Sequence, residues 1–225
     1  MKMALHPYVK KIRSIFAANV EQKRAQGAKA YMRDQFEFFG ITTPDRRKLQ
    51  SEFFKAEPFP SIDDVERIVR ELWAMEEREM HYFAMEFLLK YKKKLRKGDV
   101  NLLEFLITNN SWWDTVDVIA PKLFLEWSYL FPNEKLKTVR RWNKSGNLWL
   151  IRSSIIFQLH DKKSFDEDLL FEMILRQTEH KDFFIRKAIG WSLRQYAKSN
   201  PSAVRQFVNA NEMSALSKKE ALKHF

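Results

Sequence analysis

Apolar residues three and four positions apart recur along most of this chain, and that spacing leaves room for little besides amphipathic helices. Val65, Ile68, Val69, Leu72 and Trp73 form one such stripe. Met80, Phe83, Ala84, Phe87, Leu88 and Tyr91 form the next, and Val9, Ile12 and Phe16 an earlier one. No segment sustains the period-two alternation of a half-buried strand. Five glycines and seven prolines punctuate 225 residues, whereas the two together average about 12% of a chain. So few turn-formers argue against hairpins, sandwiches and barrels. The expected fold is all-α, a single domain over residues 1–225 with about ten to twelve short helices.

Local signals place the helix ends. Pro7, Pro44 and Pro121 are expected at first helical positions, with Thr43 capping ahead of Pro44. Ser164 with Glu167, and Ser217 with Glu220, have capping-box spacing, and Ser111 with Asp114 a weaker version. Turns are expected at 57–60, 97–99, 132–133, 144–147 and 199–201. The second half carries an internal repeat. Trp149-Leu150-Ile151-Arg152 aligns with Phe183-Phe184-Ile185-Arg186 at an offset of 34, followed by Ile155 on Ile189 and Leu159 on Leu193. A weaker match at 38 sets Trp113 on Ile151 and Asp114 on Arg152. Units of this length imply a HEAT-like or tetratricopeptide-like solenoid of stacked antiparallel helix pairs, whose concave face binds the partner. Similar amphipathic helices in an ordinary helical protein would also produce such matches.

Charge narrows the partner. Forty Lys and Arg against 29 Asp and Glu give a net charge of +11, and the pI is about 9.7. That excess favours a polyanion such as nucleic acid. Basic residues cluster at Lys10, Lys11, Arg13; at Arg46, Arg47, Lys48; through Lys90–Lys97; and at Arg140, Arg141, Lys144. Aligned along a groove they would follow a phosphate backbone; singly, they are helix ends stabilising their own dipoles. The longest stretch free of Asp, Glu, Lys and Arg is nine residues, Phe105 to Trp113, too short for a membrane span. Met1 to Lys11 lacks the apolar core of a signal peptide. With no cysteine, disulfides, thiolate metal sites and Cys nucleophiles are excluded, and a cytoplasmic setting is expected. His6, His81, His160, His180 and His224 show no metal-ligand spacing, and the scattered glycines make no phosphate loop. No cofactor or metal is expected.

One constellation has chemical content. Trp113 and Asp117 are four apart in Ser111-Trp112-Trp113-Asp114-Thr115-Val116-Asp117 and share a helix face. An indole beside a carboxylate suits the holding of a cation. Arg152 and Trp191 lie on the related helices and could join them, with Gly190 permitting a close approach beside Trp191. Spacing alone equally allows two core aromatics, a structural Asp117–Arg152 salt bridge and a glycine that only permits helix packing.

That segment, together with Leu148-Trp149-Leu150-Ile151-Arg152 and Lys187-Ala188-Ile189-Gly190-Trp191-Ser192-Leu193-Arg194, closely resembles the AlkD family of bacterial DNA glycosylases. Tyr31-Met32, Phe39-Gly40-Ile41 and Leu216-Ser217-Lys218-Lys219-Glu220-Ala221 are similar too, so the resemblance runs from about His6 to the C-terminus. It implies a HEAT-like repeat fold with a concave basic face on double-stranded DNA. It also implies hydrolysis of the N-glycosidic bond of cationic N3- and N7-alkylated purines. Asp117 would be the catalytic carboxylate, Trp113 and Trp191 would flank the lesion, and Arg152 would complete the site. Tyr31 and, among the basic positions, Arg46, Arg47 and Arg194 are the candidate DNA contacts.

An alkylpurine already carries positive charge and leaves as a neutral base, so one carboxylate suffices to stabilise the sugar cation and orient water. The expected product is an abasic site with no strand cleavage, made by a monomer associated with the nucleoid of a bacterial-type cytoplasm. If Arg152 anchors a phosphate, Arg152→Ala should cost excision well over tenfold and leave melting unchanged. The competing readings are a non-catalytic repeat protein binding distorted or branched DNA, and a protein-interaction solenoid holding a helix or acidic tail.

Overall fold

A computed structural model describes residues 4–223. Their secondary structure is helical, apart from an isolated bridge between Glu37 and Glu77. The run of helices is organised as two compact units, Met1–Lys94 and Leu95–Phe225.

The first unit holds α1 (Pro7–Ala17), α2 (Gln22–Tyr31), α3 (Thr43–Ala56), α4 (Ile62–Trp73) and α5 (Arg78–Lys90). Helix α4 illustrates why such segments fold. Ser61 caps it through the Asp63 amide, Asp63 and Asp64 complement the dipole at its start, and Arg70 does so at its end. Its stripe of Val65, Ile68, Val69, Leu72 and Trp73 is at most 4% exposed; each such side chain contributes about 1.5–3 kcal/mol. The other two stripes are buried as well, in a core where Tyr8, Phe53, Phe83 and Phe87 meet ring to ring. Phe39-Gly40-Ile41 has a structural role here. Its three amides donate to the buried carboxylate of Glu79 at 2.9–3.2 Å. Gly40 has φ +85°, and a Cβ there would sit 2.1 Å from the Glu21 carbonyl oxygen, so only glycine fits.

The second unit contains α6 (Val100–Thr108), α7 (Trp113–Val118), α8 (Leu125–Leu130), α9 (Pro132–Asn143), α10 (Leu148–Ile156), α11 (Glu167–Leu175), α12 (Phe183–Tyr196), α13 (Pro201–Ala210) and α14 (Ala215–Ala221). Helix α10 packs against α6, α7, α9 and α12, and α12 against α13 and α14. Helices α7, α10 and α12 begin at residues 113, 148 and 183, a repeat step of 35. That register differs from both offsets read in the sequence: Asp117, not Asp114, matches Arg152, and Lys187, not Arg186, is the next equivalent.

Several helix ends differ from the sequence expectation. Thr42, not Thr43, caps α3. Asp166 caps α11 and Ser214 caps α14, displacing the Ser164 and Ser217 boxes; Ser164 instead bonds Asp161, and Ser217 the Arg186 carbonyl. Ser111 bonds the Ile107 carbonyl, and Trp112 takes the cap position of α7. Pro121 starts no helix. It lies inside a π-helical turn, Ile119–Phe124, that links α7 to α8. A proline four residues after Asp117 has no N–H for the Asp117 carbonyl, which breaks the α-helical ladder at that point.

Candidate active site

The site is assembled in the second unit by the repeat register. Asp117 and Arg152 are each the fifth residue of their helices, so the packing of α7 on α10 sets them face to face. Arg152 Nε donates to Asp117 Oδ1 and Nη2 to Oδ2, both at 2.8 Å. This parallel two-bond geometry is the strongest form of such a pair. Arg152 Nη1 also donates to the Phe184 carbonyl at 2.6 Å, so one guanidinium ties α7, α10 and the first turn of α12 together. The Arg152 side chain is 5% exposed and that of Asp117 17%. Each Asp117 oxygen accepts one bond from Arg152, and a carboxylate oxygen has two acceptor sites.

Burial pushes the Asp117 carboxyl above the ordinary aspartate value, and the neighbouring Asp114 charge adds to the rise; the hydrogen bonds and charge of Arg152 pull it back. The result is a desolvated anion held by one partner, the state in which a carboxylate interacts most strongly with a nearby cation.

The indole of Trp191, half-buried on α12, has its ring centre 5.9 Å from the Arg152 guanidinium carbon. Trp113 opens α7, half-buried, four residues before Asp117. The structure therefore brings Asp117, Arg152 and Trp191 together around one guanidinium and keeps Trp113 on the helix of Asp117. Gly190 has a packing role: a Cβ there would lie 2.4 Å from Glu220 Cβ and 2.8 Å from the Ser217 carbonyl oxygen on α14. The close approach it permits is that of a helix.

The candidate DNA contacts are placed differently. Tyr31, the last residue of α2, is 71% exposed. Arg46 is buried, donating to Gln50 and Glu86, with Tyr82 beside its guanidinium; Arg47 is exposed, 3.7 Å from Glu86. Arg194 is held by Glu220 at 2.6 Å. Many basic clusters are likewise paired: Lys11 with Glu57, Arg13 with Glu77, Lys97 with Glu134, Arg140 with Glu172 and Arg141 with Glu104.

Sequence reasoning passed over an aromatic cluster beside the ion pair. Trp112, Trp149 and Phe184 pack at ring-centre distances of 5.0–5.7 Å, with Phe183 on Phe184 and 57% exposed. All four lie at or next to the first residues of α7, α10 and α12, and that recurrence was the available signal. His81 is buried on Arg78 and the Met75 carbonyl, and His6 and His180 accept nearby amides; His224 lies outside the described residues. Among the described residues no three His, Asp or Glu side chains converge as a metal site, and no helix is long and apolar enough to cross a membrane.

An all-α repeat chain with a buried arginine–carboxylate pair and an indole beside the arginine is the kind of protein these features define. The sequence matches the DNA alkylation repair enzyme family over residues 12–225, and the chain belongs to that family. A solved structure described as a predicted DNA alkylation repair enzyme from Enterococcus faecalis is similar to it, with TM-score 0.84 and 29% identity over 92% of this chain and 97% of that one. No curated protein sequence matches significantly. Family membership supports a role in DNA repair.

Proposed function

We propose that the protein is a monofunctional DNA glycosylase that releases cationic N3- and N7-alkylated purines from duplex DNA, acting as a cytoplasmic monomer. The Asp117 carboxylate braced by Arg152, whose guanidinium carbon lies 5.9 Å from the Trp191 ring centre, is the observation that carries this reading, set in a chain of the DNA alkylation repair family.

The chemistry needs little machinery. Breaking the bond between C1′ and the purine nitrogen sends the electron pair to a base that is already cationic, and the base leaves neutral. Positive charge then develops on the sugar. Asp117 stabilises it: unit charges 4 Å apart attract by about 4 kcal/mol at an effective dielectric of 20. Water adds its oxygen to C1′ and gives its proton to the carboxylate or to solvent. The Trp191 and Trp113 faces favour the cationic nucleoside by about 0.5–2 kcal/mol. A neutral purine lacks the indole attraction and, with no acid to protonate it, would have to leave as an anion, so the charge of the base itself supplies the discrimination. Arg152 acts here by fixing the carboxylate rather than as a free phosphate anchor, because Asp117 and the Phe184 carbonyl engage three of its five N–H donors and its side chain is 5% exposed.

The reading is tested by incubating the protein with a duplex carrying one N7-methylguanine. The expected result is an intact strand that breaks at the lesion only after alkali, and no break in an undamaged duplex. Tight binding with no release of the alkylated base would overturn it in favour of a DNA-binding scaffold.

A further inference from the structure

Trp191 is flanked on its own helix face by two cations, Lys187 four residues before it and Arg194 three after it. Arg152 already stands over this indole, 5.9 Å from its ring centre, with its charge balanced by Asp117; a further, unpaired cation settling on the ring would compete with a cationic nucleobase. Lys187 and Arg194 are both restrained by a single group. Glu220 on α14 takes Lys187 Nζ on Oε1 at 2.9 Å and Arg194 Nη1 on Oε2 at 2.6 Å. Its side chain is 14% exposed, so the double bridge is only partly open to water. The missing side chain at Gly190 is what brings α14 close enough, since a Cβ there would overlap Glu220 Cβ. Ser217 fixes the same approach by donating to the Arg186 carbonyl at 3.0 Å.

We propose that Glu220 is a positioning residue for base release: it holds Lys187 and Arg194 off Trp191, so that no unpaired cation competes with the cationic nucleobase for the indole. This inference rests on the glycosylase reading. Replacing Glu220 by a neutral residue frees two cations at once. It makes the surface more positive, which strengthens attraction to a polyanion, and it spoils the indole for a cationic base. Rate and affinity then move in opposite directions, a split that a merely structural carboxylate would not produce.

The test compares wild type, Glu220→Gln and the Glu220→Gln/Lys187→Met double variant in single-turnover release from the N7-methylguanine duplex, with duplex Kd measured in parallel. Glu220→Gln is expected to lower the saturating rate by about two- to thirtyfold, up to the whole worth of the indole, with a tighter Kd, and Lys187→Met in that background to recover part of that loss. An unchanged rate in Glu220→Gln, a parallel loss of rate and affinity, or no recovery in the double variant overturns the proposal. Should Glu220→Gln not fold, Glu220→Asp replaces it. Its shorter arm is expected to give the same split at smaller size, and a parallel loss there overturns the proposal equally. Absence of release by wild type would instead fail the glycosylase reading itself and the inference with it.

Discussion

Each compact unit contains a buried arginine–carboxylate pair beside an aromatic ring, yet the two carboxylates are in opposite states. In the first, Arg46 is 5% exposed and Glu86 24%, with Tyr82 alongside; in the second, Arg152 is 5% exposed and Asp117 17%, with Trp191 alongside. Burial raises both carboxyls. Around Glu86, donors from Arg46 and Gln50 and the nearby charge of Arg47 outweigh burial and hold the group below the ordinary glutamate value. Around Asp117, one arginine faces burial and a second aspartate, and the group stays above the ordinary aspartate value. A structural pair is oversupplied with donors. The Asp117 carboxylate is braced by one arginine alone, as the proposed role of stabilising a cation requires.

The largest effect that sharpens this contrast is expected from Asp117→Asn. Loss of about 4 kcal/mol of charge stabilisation corresponds to about a thousandfold slower release, measured by single-turnover alkaline cleavage with Kd as control. Glu86→Gln is expected to leave release by the folded protein within about threefold. Next come the arginines. Removing one partner of a buried pair costs about 3–5 kcal/mol, so Arg152→Ala and Arg46→Ala should both melt earlier, while release falls well over tenfold only in Arg152→Ala. This replaces the unchanged melting that a phosphate anchor would give, because Arg152 also joins α7 to α10 and α12. Equal release by the two variants would erase the distinction between the pairs.

The two carboxylates should also answer pH oppositely. The folded pKa of Asp117 is raised, so its native state binds the proton more readily, and acidification through that pKa favours the fold through this group. The pKa of Glu86 is lowered, so its contribution is complete above the ordinary glutamate value and is lost as pH falls through the folded one. Release should therefore fail on acidification with a midpoint above the ordinary aspartate value, and Arg152→Gln should move that limb to higher pH; a limb that stays in place would detach Arg152 from the titration. The smallest effect is expected from Trp191→Leu, a two- to thirtyfold slower release for a loss of about 0.5–2 kcal/mol, set against no change for Tyr82→Leu in the folded protein.

The helices were legible because their signals are local: the stripes around Val65, Met80 and Val9 are buried as their spacing requires. Helix ends were less so, since Thr42 and Thr43, or Asp166 and Ser164, offer competing caps that only the chain's path decides. Sequence spacing allows the pairing of Asp117 with Arg152, although the repeat offset of 38 sets Asp114 on Arg152, three residues out of the observed register. Local pattern could not show that Arg46 is inward and committed while Arg47 is exposed, because adjacent residues differ only in which side the helix turns to the core. Nor could it reveal Glu220, whose partners lie 26 and 33 positions away along the chain.

The measurement closest to the central claim is a comparison of two duplexes, identical except that one carries N7-methylguanine and the other hypoxanthine, a neutral purine lesion. A carboxylate and an indole that respond to charge should release the methylated base and leave hypoxanthine in place through the same incubation. Comparable release of both would mean that the site reads something other than the positive charge of its substrate.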